Sequence, residues 1–232
     1  MNFPTGASRF VFILAHPAGH VVAPRHYPPF FQRAGLDWHM VPLDVEPEHV
    51  SDMIRTLGKS RSVAGINLTM PHKLAPYALC DAVGPAAEFE GVVNTIRIES
   101  GWRLVGDSFD GGGFLGAAQA AGIFDPNRRV IVVGAGAAGK AICHALAAAG
   151  MRRLGIFDIQ PFDDLTSKLK THFSNLEIDS GEPFDDVGLL VNATPLGLHA
   201  TDRLPMDPAK LPADCAVFDI IAGRRTELMQ AA

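Results

Sequence analysis

The stretch VIVVGAGAAG (130–139) constrains this chain more than any other. Four β-branched residues read as a buried strand, and glycines break it at once. Gly134, Gly136 and Gly139 make a G-x-G-x-x-G pattern, and the KAICHALAAAG that follows reads as a helix. The pattern alone is weak; strand before and helix after supply its required context. Gly134 permits a tight turn, Gly136 lets a pyrophosphate approach the backbone, and Gly139 allows the helix to pack closely on the strand. A helix opening at Ala137 and Ala138 would offer its first N–H groups to the phosphate. The alternative is a glycine-rich turn that holds no ligand.

Asp158 ends the next strand-like run, RLGIFD, 24 residues after Gly134. That is close to the ~20 expected of an acid that binds ribose hydroxyls. A carboxylate there accepts from a 2′-hydroxyl and repels a 2′-phosphate, and Ile159, Gln160 and Pro161 follow it with no arginine among them. NAD is therefore expected over NADP, against the alternative of a solvated strand-end Asp. In VNATPLG (191–197), Asn192 and Thr194 either face the cofactor or cap a turn.

Strand-like and helical patterns alternate along the whole chain. Strands are expected at 9–15, 37–45 and 62–69, helices at 27–35, 46–58 and 72–84, and a hairpin at 92–108 around Ser100–Gly101. A helix follows at 114–122. A fresh series then runs through strand 128–133, helix 137–150, strand 153–158, helix 163–173, and strands 187–194 and 215–221. Such alternation predicts an α/β fold with parallel sheets covered by helices. The break near 108–114 predicts two lobes with a ligand cleft between them.

Composition excludes several classes. A hydrophobic fraction of 47% with 19% charged residues predicts a filled core rather than disorder. The net charge of −5 and the lack of a basic run argue against nucleic acid. No apolar stretch reaches the roughly 18 residues that span a bilayer, and FVFILA near the start reads as a strand rather than a targeting segment. Cys80, Cys143 and Cys215 fit neither a disulfide framework nor a zinc site; no metal is expected, and a reducing cytoplasm is.

One loop asks for more explanation than a connection needs. NLTMPHK (67–73) leaves a strand and presents Asn67, Thr69, His72 and Lys73 around Pro71. Together with AHPAGHVVAP (15–24), GVVNTI (91–96), GDSFDGGGF (106–114), VVGAGAAGKA (132–141), VNATPLG and FDIIAGRRTEL (218–228), it makes the chain resemble the shikimate/quinate dehydrogenase family over nearly its whole length. The resemblance implies an N-terminal α/β substrate-binding domain, 1–109, and a C-terminal Rossmann-type NAD(P)-binding domain, 110–232. It implies reversible hydride transfer between a nicotinamide cofactor and a cyclic hydroxy or keto substrate, with Lys73 and Asp110 catalytic and Thr69 and Asn94 on substrate hydroxyls. The chemistry is coherent: oxidising a secondary alcohol releases a proton, which Lys73 can exchange. Asp107 is the weaker choice of the two acids in GDSFDG.

Departures from the family matter as well. Two serines that bind the substrate carboxylate align with Val21 and Ala23, and a tyrosine on the same carboxylate aligns with Ala222. None of the three replacements has a hydrogen-bonding side chain. Losing donors to a charged group costs roughly 1.5–3 kcal/mol each, so plain shikimate is expected to bind poorly. Arg25, His26, His20 and His16 are nearby polar residues, and Arg25 either replaces the lost grip or faces solvent. His72 is read equally as packing or as pocket lining. The family also continues past the TEL segment with a substrate-touching glutamine and return helices. With Ala232 last, one wall of the cleft is expected to be missing, in a fragment or in a short member. The partner is thus expected to be a cyclic polyol or hydroxy acid, with a homodimer left open. The alternative function is a non-catalytic or regulatory nucleotide-binding homologue; a pure scaffold fits the intact motifs poorly.

Overall fold

A computed structural model describes residues 3–180 and 184–231, which form two compact units, Met1–Phe109 and Asp110–Ala232.

The first unit is a six-stranded mixed sheet. Its strands are β1 (Arg9–Ala15), β2 (Trp38–Asp44), β3 (Val63–Leu68), β4 (Ala82–Val83), β5 (Thr95–Ile98) and β6 (Leu104–Asp107), in the order β2-β1-β3-β5-β6-β4. β1 lies between β2 and β3 and runs parallel to both. Alternation along β1 separates two apolar clusters. Val11 and Ile13 pack with Phe31, Met40 and Ala64, whereas Phe12 and Leu14 join Ile54, Ile66 and Ile96. Helix α1 (Ala23–His26) serves the first cluster through Ala23 and α2 (Pro28–Arg33) through Phe31, and α3 (Val50–Leu57) serves the second through Val50 and Ile54, four residues apart on one face.

Two expectations fail in this unit. The sheet is not all parallel, because β5 runs antiparallel to both its neighbours, β3 and β6. Residues 72–84 are not a helix. They make a 3-10 turn at Ala75–Leu79 and then β4, parallel to β6. The backbone amides of Asp81 and Gly84 bond Leu104 O and Gly106 O at 2.8 Å, so they serve a sheet edge rather than a helix. Pro76, inside that span, brings no amide hydrogen to a helical ladder. Helix α4 (Pro85–Glu90), which follows, was not foreseen.

The second unit has five parallel strands, β7 (Arg129–Val133), β8 (Arg153–Phe157), β9 (Glu177–Asp179), β10 (Val187–Asn192) and β11 (Ala216–Asp219), in the order β11-β10-β7-β8-β9. Every residue of β7 is buried, as a central parallel strand covered on both faces requires. The helices are α5 (Asp110–Ala120), α6 (Ala137–Ala148), α7 (Asp163–His172) and α8 (Glu227–Ala231). Helix α5 starts four residues before the expected 114 and takes Gly111, Gly112 and Gly113 into its first turns.

Gly111 has a packing reason. A Cβ there would lie 2.2 Å from Ala141 O of α6, whereas one at Gly113 meets nothing within 4 Å. Gly111→Ala is expected to destabilise by about 1–3 kcal/mol through overpacking. Gly113→Ala should stabilise by about 0.5–1 kcal/mol through helix propensity. Denaturation midpoints of the two variants, moving in opposite directions, check this.

Candidate active site

In the first unit, backbone hydrogen bonds gather the residues expected to bind substrate. Thr69 N donates to Leu14 O (3.0 Å) at the end of β1. Val93 N donates to Lys73 O (3.0 Å), and Leu68 N donates to Asn94 O (2.8 Å). The Thr69–Lys73 loop is thereby laced at both ends to the Val93–Asn94 segment that leads into β5. Asn94 is only 7% exposed. Its Oδ1 accepts from Phe109 N and Thr95 Oγ1, both at 3.1 Å, and Asn67 Nδ2 donates to the same Thr95 oxygen at 3.1 Å.

His72, left between packing and pocket lining, is 2% exposed. Its Nε2 lies 2.8 Å from Val45 O and donates to it, which makes His72 a brace for the loop that presents the half-buried Lys73. Asp107 is likewise structural. Its Oδ1 accepts from Ala87 N (3.0 Å) in the first turn of α4 and from Ser108 N (2.9 Å). Asp110 belongs to the second unit, where it opens α5; an acid in a helix's first turn complements the dipole.

The loop after β1 carries the departures. Val21 and Ala23 are half-buried against the Val11, Ile13, Phe31 and Met40 cluster. Arg25 and His26 are exposed on α1, with no ion-pair partner among the described residues. The loop is clasped by Asp44, which accepts from Ala18 N (3.0 Å) and lies 2.8 Å from His16 Nδ1. The Ala18 amide first, and His16 second, hold the Asp44 carboxyl below its ordinary value.

The second unit shows the glycine turn at work. Gly134 has φ +103°, and a Cβ there would lie 2.9 Å from the Ala193 carbonyl. A Cβ at Gly139 would lie 1.8 Å from Gly134 O. Gly136 instead faces open space, with nothing within 4 Å of an added Cβ. Ala137 and Ala138 then begin α6. A tight turn, close helix packing and one open glycine at a twelve-residue helix's N-terminus fit a dinucleotide pyrophosphate. Asp158 is half-buried beside this turn, accepting from Ala135 N (2.5 Å) and Gln160 N (2.8 Å).

Asn192 makes the turn cap, one of the two readings its sequence position left open. It is fully buried, and its side chain is engaged within the unit. Nδ2 donates to Leu196 O (2.9 Å) and Asp219 Oδ1 (3.1 Å), while Oδ1 accepts from Thr194 N (3.1 Å) and Thr194 Oγ1 (2.7 Å). Thr194 Oγ1 also accepts from Leu196 N at 3.1 Å. The geometry is that of the capped turn, with Asn192 bracing the loop that presses on Gly134. Asp219 completes the brace by accepting from Ile221 N (3.0 Å) and from Thr226 Oγ1 (2.7 Å). Neither Asp219 nor Thr226 was singled out from sequence, although both lie in the FDIIAGRRTEL stretch. Ala222 is exposed on the loop between them.

A parallel sheet whose central strand runs through such a turn into a helix defines a Rossmann-type dinucleotide-binding unit. Comparison with known proteins places it further. A family profile for the shikimate dehydrogenase substrate binding domain matches residues 13–96. A protein of Rubrobacter xylanophilus named shikimate dehydrogenase (NADP(+)) is 35% identical over 98% of this chain and 82% of its own. A shikimate dehydrogenase crystal structure from Aquifex aeolicus superposes with a TM-score of 0.84 at 26% identity, covering 99% of this chain and 85% of that one. A Thermus thermophilus shikimate 5-dehydrogenase, solved with NADP(H) and shikimate, gives 0.83 at 29% identity, covering 97% and 83%. The chain belongs to the shikimate dehydrogenase family. Two finer expectations gain no support from these relatives. Their names do not bear out the doubt about plain shikimate, and they show no preference for NAD. Among the described residues, no helix is long and apolar enough to cross a membrane.

Two outcomes follow from the braces. Asn192→Ala leaves buried partners unsatisfied and is expected to cost ~1–3 kcal/mol, read from the urea midpoint. Because the Asp44 carboxyl is lowered on folding, its clasp is present above the ordinary carboxyl value of 3.8 and is lost as pH falls through the lowered one. Amide exchange at Ala18 should lose its protection over that acid range, and Asp44→Asn should remove the pH dependence.

Proposed function

We propose that this chain reversibly oxidises a ring hydroxyl of shikimate or a closely related cyclic hydroxy acid. The observation that carries the reading is the lacing of the Thr69–Lys73 loop to Val93–Asn94, which assembles a base and two hydroxyl-binding side chains at one end of the sheet. When bound, a nicotinamide dinucleotide supplies hydride transfer. Lys73 takes the hydroxyl proton during oxidation and returns it during reduction. His72, fixed to Val45, holds Lys73 in register. Thr69 and Asn94 meet the ring hydroxyls of the substrate. Asp110, at the start of α5, is the second catalytic group and binds a ring hydroxyl of the substrate. Val21 and Ala23 in the first unit offer a substrate carboxylate no side-chain hydroxyl, and Ala222 in the second offers none either.

Gly134, Gly136, Ala137, Ala138 and Gly139 hold the pyrophosphate, and Asp158 the adenosine ribose. The second phosphate of NADP would meet the Asp158 charge with only Ile159 and Gln160 following it, so NAD is the better fit of this strand end. The relatives' names do not favour the purely nucleotide-binding alternative.

Turnover followed by the absorbance of reduced nicotinamide tests these roles with shikimate, quinate and carboxylate-free cyclic polyols. Lys73→Ala is expected to lower kcat by about 10²–10⁴-fold while cofactor affinity holds. A wild-type protein that binds cofactor but turns over none of these substrates sinks the proposal. Asp158→Ser should move the kcat/KM ratio toward NADP by about tenfold; a wild type that already prefers NADP overturns the role given to Asp158.

A further inference from the structure

The first unit holds a recess of about 300 Å³ whose lining includes Arg9, Ser60, Arg61, Ser100 and Trp102. It belongs to the other end of the sheet from the Thr69–Lys73 loop. Arg9 opens β1, Ser60 and Arg61 precede β3, and Ser100 and Trp102 form the turn between β5 and β6. Thr69 and Lys73 follow the far end of β3, a strand length of roughly 20 Å at ~3.3 Å per residue. The recess is therefore separate from the site described above, and its volume suits a small molecule.

Its chemistry is that of an anion site with a flat wall. Arg61 has no ion-pair partner among the described residues. Arg9 is held in place, donating to Val63 O at 2.8 Å, with its guanidinium 5.6 Å from the Trp38 ring centroid. The acid in the lining, Glu99, is already paired with Arg97 (2.5 Å) and Arg103 (3.1 Å), so its charge is compensated. Ser60 and Ser100 add hydroxyls. Trp102 is 44% exposed and has φ +65°, the one non-glycine residue at positive φ among those described. A bulky residue in that conformation is strained. Strain of this kind clusters at ligand sites, where the surrounding structure enforces it.

We propose that this recess binds a small aryl carboxylate, with the carboxylate on the guanidinium groups of Arg61 and Arg9 and the ring against the Trp102 indole. Guanidinium forks match carboxylate oxygens in pairs, and an indole face takes an aromatic ring in offset stacking.

Calorimetric titration of the full chain with benzoate tests this, with acetate and benzyl alcohol as probes of the charge alone and the ring alone. Benzoate is expected to bind saturably, and each control about tenfold more weakly or less. Arg61→Gln should weaken benzoate by about tenfold. Trp102→Gly, which relaxes the positive φ, should weaken it as well. Lys73→Ala and saturating shikimate should leave benzoate binding unchanged. The proposal is overturned by absent benzoate binding, by full affinity in Arg61→Gln, or by equal binding of benzyl alcohol. Displacement by shikimate, or loss in Lys73→Ala, would also overturn it, by moving the ligand to the Thr69–Lys73 loop.

Discussion

The second unit depends on one backbone contact, where the turn at Gly134 meets the carbonyl of Ala193 on one side and the helix at Gly139 on the other. No side chain fits at either glycine. Because the three backbones touch, β7 can pass directly into α6 while β10 lies alongside. The start of α6 is then fixed with its first amides pointing past an open Gly136. The braces around Asn192, Asp219 and Thr226 keep Ala193 pressed where the turn needs it. Buried polar networks of this kind rigidify a structure when every member is satisfied, and Asn192 has four hydrogen bonds. The shape of the glycine turn is thus built from packing several residues removed from it.

The first unit uses a different device. Its loop at the end of β3 is irregular, yet it is pinned by backbone bonds to β1 and to the segment before β5, and by His72 to Val45. Rigid positioning is what a proton-transfer group requires, since small displacements of a catalytic group reduce rate steeply. The same sheet makes the pocket's apolar departures intelligible. Val21 and Ala23 pack on the cluster that includes Phe31 and Met40, so these positions consolidate the fold where hydroxyls would have faced a ligand.

Most of the architecture was legible because it rests on local periodicity. β1, β3, β7, β10 and α6 carry their patterns in their own residues. The pieces that were missed do not. β4 has two residues and β9 three, too few for a pattern, and each exists because a neighbouring strand offers it a hydrogen-bonded edge. Asp179 of β9 is joined to Arg129, whose side chain is 5% exposed, a pairing across 50 positions that spacing cannot show. The same holds for His72 and Val45, and for Asp219 and Thr226. The motifs located the loops; they did not say which polar residues in them face inward. Asn192 stands at a strand's carboxyl end, where sequence leaves a cofactor contact and a turn cap equally open, and only its four partners reveal the cap. Asp107 and Asp110 were separable in sequence by resemblance alone, whereas the structure separates them physically, through the two amides on Asp107.

The loop carrying Ala222 is anchored at both ends by Asp219, through Ile221 N and through Thr226 Oγ1, and turns at Gly223 with φ +86°. None of these anchors involves the side chain at 222. The loop therefore behaves as a fixed socket with an interchangeable fitting. A lineage can exchange the residue it displays, from a bare methyl to a ring or a hydroxyl, without renegotiating the frame. The architecture around that point stays still whatever side chain stands there.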